Sequence, residues 1–195
     1  GRFEQLKRYD SFEPGTMDHA AYGVKVLFDE GMIRRFLPDD KWDSIIYTAI
    51  AHHSDYELPE ISDPQTLLHA KLIRDEDKLD NCRVKLVDST STFINVSEEE
   101  LGTQNITQKV YETVFENKCI LSADRVTQMD YWVSYIVYFF DINFKESFDI
   151  IAENDYLNRI IDRIPYSNPV TKEQMENIRV YMQNFINSHT NSQSF

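Results

Sequence analysis

From His19 to Leu37 the chain reads HAAYGVKVLFDEGMIRRFL, with apolar positions returning every three or four residues. That period predicts a helix, opened by Thr16 or Asp18 as N-cap and ended by Pro38 or a break near Gly31. A second helical pattern follows in DDKWDSIIYTAIAHH, where Trp42, Ile45, Ile46, Ala49 and Ile50 share a face, and the polar stretch SDYELPEISDP closes it. Asp63-Pro64 is a usual start signal and introduces a third helix containing LLHAKLIRDEDKLDN. At helical spacing Ala70, Ile73, Asp77 and Val84 form one stripe of that helix, and Leu68, Leu72, Leu79 and Leu86 form another roughly opposite. Such a helix is expected to be buried on two sides, and a carboxylate at Asp77 then needs a cation, because an unpaired buried charge is costly.

Beyond this helix, Ser97 followed by acidic residues marks another helix start. The C-terminal half predicts helices over about 107–119, 122–141 and 145–163, then a last one in NPVTKEQMENIRVYMQNFINSH with Thr171 as N-cap. Tyr131, Trp132, Tyr135, Tyr138 and Phe139 recur at core spacing and read as packing, and the polar tail SHTNSQSF is expected to fray. Five Gly and six Pro in 195 residues leave long uninterrupted helical stretches, so the fold class is all-α.

Composition narrows the function. A net charge of -13 repels a phosphate backbone, which excludes a dedicated binder of polymeric nucleic acid but leaves a small phosphorylated ligand open. No G-x-G-x-x-G or Walker-type loop occurs. Cys82 and Cys119 stand alone, which suits a reducing cytoplasm. The longest apolar run, YWVSYIVYFF, is about half of the ~20 residues a membrane-spanning helix needs, so no membrane partner is expected.

The candidate chemistry lies in the histidines. His19 sits beside Tyr22, Gly23 and Val26, while His52 and His53 end the apolar second helix, so each ring leaves its helix beside core side chains. Adjacent histidines at a helix end can both reach one cation, and neutral imidazoles with a carboxylate form an N/O set suited to first-row divalent metals. The plainer alternatives are a hydrogen-bonded core histidine at position 19 and a protein cation beside Asp77, for which Arg74, Lys78 and Arg2 are available.

The segments DHAAYG, AIAHH and above all LIRDEDKLDN resemble the HD superfamily of metal-dependent phosphohydrolases, and the opening GRFEQ resembles the H-D-x-G-R-F-E-Q signature of a bacterial subset. The resemblance covers roughly residues 1–85 and places the His-Asp dyad itself upstream of Gly1. It implies an HD-domain-like helical bundle over residues 1–90 and a helical extension over 91–195 packed on it. It further implies a divalent metal (Mn, Fe, Mg, Co, Ni or Zn), with Asp77 as anchor of the first ion and His19, His52 and His53 serving the second. Arg2 and Lys78 would meet the substrate phosphate, Asp77 and Arg2 forming the catalytic pair. The implied activity is hydrolysis of a phosphomonoester or phosphodiester, most plausibly a nucleotide. The alternative is a catalytically silent HD-like module that senses a nucleotide or serves interaction.

Overall fold

In the computed structural model, which describes residues 2–10 and 16–190, the helical periodicity is realised as eleven α-helices, and no strand occurs among the described residues. The all-α class therefore holds. No helix among them is long and apolar enough to cross a membrane. The chain divides into two compact units, Gly1–Asp77 and Lys78–Phe195, so the division falls within the long fourth helix rather than at the residue 90 boundary that the resemblance implied.

The first unit contains α1 (Arg2–Tyr9), α2 (His19–Val24), α3 (Asp43–Ala51) and the start of α4 (Pro64–Val87). Asp18 caps α2, its side chain accepting from the Ala21 amide, whereas the expected cap Thr16 accepts a 2.8 Å bond from Gln5 instead. The helix does not run on to Leu37. It widens into a π-helical turn at Lys25–Asp29, and Gly31, with φ of 74°, ends that turn in a left-handed conformation that only glycine adopts without cost. A short 3-10 turn at Met32–Arg35 follows. The core of this unit is built on small side chains, with Ala20, Ala49 and Ala70 fully enclosed. They let α2 and α3 approach closely, and a methyl group added at Gly23 would already touch Ile50 at 3.6 Å. That close approach brings the N-terminus of α2 beside the C-terminus of α3.

Helix α4 corrects the stripe expected from apolar spacing. Apart from Asp75, its buried positions are Thr66, Ala70, Arg74, Lys78, Cys82 and Lys85, a row stepping by three or four residues, while Leu68 and Leu72 are exposed. The buried carboxylate on the helix is Asp75, 1% exposed, and Asp77 is half-buried. Burial pushes the Cys82 thiol up to about 12, so it behaves as a core side chain rather than a nucleophile.

In the second unit the helices are α5 (Thr90–Ile94), α6 (Glu98–Leu101), α7 (Gln108–Val114), α8 (Gln128–Ile136), α9 (Lys145–Glu153), α10 (Tyr156–Asp162) and α11 (Pro169–Thr190). Ser97 caps α6 as expected. The aromatic run packs rather than binds: Trp132 and Phe139 are fully buried among Met129, Val133, Ile136 and Phe148. Lys85 lies over the rings of Phe93 and Tyr135, 4.1 and 3.9 Å from their centroids, so a buried ammonium is met by two aromatic faces. Asp130 closes a capping box with Thr127, and its two oxygens accept from the amides of Thr107, Val126 and Thr127. Arg163 donates to Glu98 and to the carbonyls of Lys85 and Asp88, closing the C-terminal end of α4.

Several boundaries in this half differ from the periodicity: the helix expected over 107–119 ends at Val114, and the one expected over 122–141 is an α-helix only over Gln128–Ile136, between 3-10 turns at Ser122–Asp124 and Val137–Asp141. The stretch expected as one helix over 145–163 is interrupted where Asp155 takes φ of 51°. The cap of α11 is Asn168, whose Oδ1 accepts from Val170 and Thr171, whereas Thr171 is buried and donates its hydroxyl to the Gln104 carbonyl at 2.7 Å. Residues 191–195, part of the tail expected to fray, lie outside the described residues.

Candidate metal and phosphate site

His19 is the first residue of α2 and His53 lies two residues beyond the end of α3. The close approach of those helices sets the Nε2 atoms of the two rings 3.0 Å apart, with centroids at 4.9 Å and planes at 79°. The other nitrogen of His53 explains its orientation. Nδ1 lies 2.7 Å from the Ile50 carbonyl, which can only accept, so Nδ1 carries a proton and Nε2 is the nitrogen directed at His19.

His52 follows the same logic with a different partner. As the C-cap of α3 it turns Nδ1 to Asp55 Oδ2 at 2.6 Å, so its Nδ1 is also the proton-bearing nitrogen. Both members of the His-His pair thus have Nδ1 engaged and Nε2 left for another partner. Metal-ligating histidines commonly donate their second nitrogen to a carbonyl or carboxylate in this way. The two rings are anchored separately, however, and adjacent positions on one chain have not converged on a single point.

His19 is the neutral member by environment. Burial pushes its imidazole down to about 4, and the charges of Arg2 and of His53 act in the same direction. Arg2, in the first turn of α1, is exposed and donates to Gln5 at 3.1 Å, and its charge is felt at His19.

The remaining expected residues lie elsewhere. Asp77 is half-buried on α4. Lys78, expected at the substrate phosphate, is buried with Nζ 2.7 Å from Asp141 Oδ2, an ion pair of the second unit. Arg74, weighed as a partner for Asp77, directs its guanidinium to main-chain carbonyls just beyond α3: Asp55 at 2.7 Å, His52 at 3.0 Å, His53 at 3.4 Å and Tyr56 at 3.4 Å. Among the described residues no group of three or more His, Cys, Asp or Glu side chains is arranged to hold a metal ion, so neither His52 nor Asp77 joins His19 and His53 as a third ligand in this structure.

The donor set as it stands is therefore the two imidazoles of His19 and His53. Their facing nitrogens suit either of two occupants: a single proton carried by His19 Nε2, giving a simple hydrogen bond, or a cation shared by two lone pairs. The chemistry of the two donors fits a first-row divalent ion as part of its coordination, not as the whole of it. A cleft of about 310 Å³ in the same unit, lined by Trp42, Ile45, Ile46, Gln65, His69 and Ile73, is largely apolar and includes neither histidine.

Two participants were not singled out by sequence reasoning: Asp55 as the carboxylate behind His52, and Arg74 as the holder of the turn that carries both histidines. The three-residue step from His52 to Asp55 was a readable sign of the first. Comparison of this chain with protein-family models, characterised proteins and solved structures finds no match.

Proposed function

We propose that this chain carries part of the active site of a metal-dependent phosphohydrolase of the HD type, acting on a phosphomonoester or phosphodiester of nucleotide size. The observation that supports this reading most is the pair of imidazole nitrogens from different helices, His19 Nε2 and His53 Nε2, 3.0 Å apart. Their residue positions are also those that the sequence resemblance picks out as ligands. His52 offers a third imidazole whose Nδ1 is already held by Asp55. Asp77 is assigned to the first ion by the resemblance alone.

When bound, a divalent cation would neutralise phosphoryl oxygens and make a coordinated water acidic enough to supply hydroxide near neutral pH. The chain's own residues have narrower tasks. His19 stays neutral down to about pH 4, so its nitrogen is not lost to a proton at physiological pH. His53 is held with its lone pair outward by the Ile50 carbonyl. Arg2, exposed and close enough for its charge to act on His19, is the group proposed to offset the negative charge of a phosphate. Lys78 is left out of this role because Asp141 already occupies its ammonium. The overall charge of -13 favours a small substrate entering a local cationic spot over a polymer.

A second reading, a silent HD-like nucleotide-sensing or interaction module, is favoured by one observation: no third ligand joins the pair among the described residues. Titration of the protein with Mn²⁺, followed by a screen of phosphate release from mononucleotides and cyclic nucleotides, separates the two. The enzyme reading expects Mn²⁺ binding that His53→Ala and His19→Ala each weaken at least tenfold, together with phosphate release that requires the ion. Mn²⁺ binding indifferent to both substitutions, or no binding at all, ends it. Nucleotide binding without turnover moves the protein to the sensing class.

A further inference from the structure

The turn that carries His52 and His53 has few bonds of its own. The His52 amide completes α3 by donating to Thr48 at 3.2 Å, and the Asp55 amide reaches back to His52 only at 3.4 Å. What converges on it is the Arg74 guanidinium, 2% exposed, which places Nη1 on the carbonyls of Asp55, His52 and His53 and Nη2 on that of Tyr56. The carbonyls after a helix C-terminus carry partial negative charge and lack helical partners, so a cation buried against them is stabilised as it holds them. A planar fork can serve several carbonyls at once. A lysine ammonium offers a single point and cannot reproduce the arrangement.

We propose that Arg74 is a positioning residue for the histidine pair. By fixing the main chain at His52, His53 and Asp55 it sets where both imidazoles start, and therefore which of their nitrogens is left open. Its hold on the Asp55 carbonyl also places the Asp55 carboxylate against His52 Nδ1, and its hold on His53 lets that ring reach back to the Ile50 carbonyl. Arg74 acts through these residues, its bonds to the turn being made to main-chain carbonyls. The proposal rests on the metal-site reading above only for its consequence on ion affinity; the geometric part stands without it.

The test reads the tautomers of individual histidines in ¹⁵N-labelled protein at pH 7. Wild type is expected to show His52 and His53 as Nδ1–H forms. In Arg74→Lys and Arg74→Gln both signals are expected to move towards a mixture of tautomers. His189 supplies an internal control, since its Nδ1 bonds the Phe185 carbonyl at 2.8 Å in the other unit and its signal is expected to stay unchanged. Mn²⁺ affinity is expected to fall at least tenfold in both variants, with helix content by circular dichroism retained. Folded variants that keep wild-type tautomers at positions 52 and 53 overturn the proposal. If both variants unfold, wild type decides: through-hydrogen-bond couplings from Arg74 Nη to the Asp55 and His52 carbonyls sustain it, and their absence overturns it. Wild type that binds no Mn²⁺ while the tautomers still depend on Arg74 removes the phosphohydrolase reading and leaves the positioning role. Wild type that binds Mn²⁺ as tightly as Arg74→Lys does, with tautomers unchanged, does the reverse.

Discussion

His19 and His53 meet nitrogen to nitrogen, Nε2 to Nε2 at 3.0 Å, and the space between them holds one proton or one cation but not two protons. Because the His53 proton sits on Nδ1 against the Ile50 carbonyl, protonating both rings fully would set two N–H groups against each other. The pair is therefore a place where acid and ions compete with the native arrangement.

A pH dependence of stability follows. The His19 imidazole is lowered from 6.5 to about 4, first by burial and then by the charges of Arg2 and His53. Between those values the unfolded chain holds a proton at this position and the folded chain does not, so stability falls as pH drops from about 6.5 and levels off below about 4. In His19→Gln the slope of unfolding free energy against pH is expected to lose up to one proton in that interval. Urea denaturation at closely spaced pH values measures it, and an unchanged slope would show that His19 is not held neutral by its surroundings.

Asp130 supports a prediction about stability rather than chemistry. Its side chain is fully buried and accepts from three main-chain amides, those of Thr107, Val126 and Thr127. Asp130→Ala takes the acceptor from all three donors, and because Val126 is exposed and Thr107 and Thr127 are only half-buried, water reaches some of them and the cost is about 2–4 kcal/mol, below three full burial penalties of roughly 1–3 kcal/mol each. Asp130→Asn keeps the shape but turns an NH₂ towards one set of donors, so it should lie between wild type and Asp130→Ala. Chemical denaturation of the three proteins ranks them, and equal midpoints would mean that water replaces the carboxylate without loss.

The elements most legible from sequence were those whose local chemistry and periodicity agree. Asp18 is readable as a cap because a short polar side chain precedes an apolar period, Ser97 because acidic residues fill the turn after it, and Gly31 as a break because only glycine suits a positive φ without strain. Thr171 was misplaced as a cap although Asn168-Pro169 carried the stronger signal, an N-cap followed by proline in the first turn. The inner face of α4 was hidden for a different reason. Its row contains Arg74, Lys78 and Lys85, and cations are ordinarily assigned outward, so leucines that are in fact exposed looked like the better core. The meeting of His19 with His53 depends on how tightly α2 and α3 pack across a segment of some thirty residues, which spacing within either helix does not encode. The separate anchoring of His52 depends on the turn after α3, where helical geometry has ended.

Gly23 and Gly102 should respond to the same substitution with opposite signs, because one faces a side chain across ordinary contact distance and the other faces main chain. A methyl at Gly23 would stand 3.6 Å from Ile50 Cγ2, so Gly23→Ala should fit α2 and stabilise by about 0.5–1 kcal/mol, chiefly by restricting the unfolded chain. At Gly102 the added atom would lie 2.4 Å from the Pro165 carbonyl oxygen, and that approach is fixed because Ser167 and Asn168 both donate their amides to the Gly102 carbonyl at 3.1 Å. Relief requires the main chain on one side to move and those two bonds to stretch, so Gly102→Ala should cost about 2–4 kcal/mol. The two variants change different units, which hydrogen exchange distinguishes: protection should rise among α2 and α3 amides for Gly23→Ala and fall around α6 and the start of α11 for Gly102→Ala. A Gly102→Ala protein with native stability would mean that the contact between Gly102 and Pro165 is looser than its geometry states.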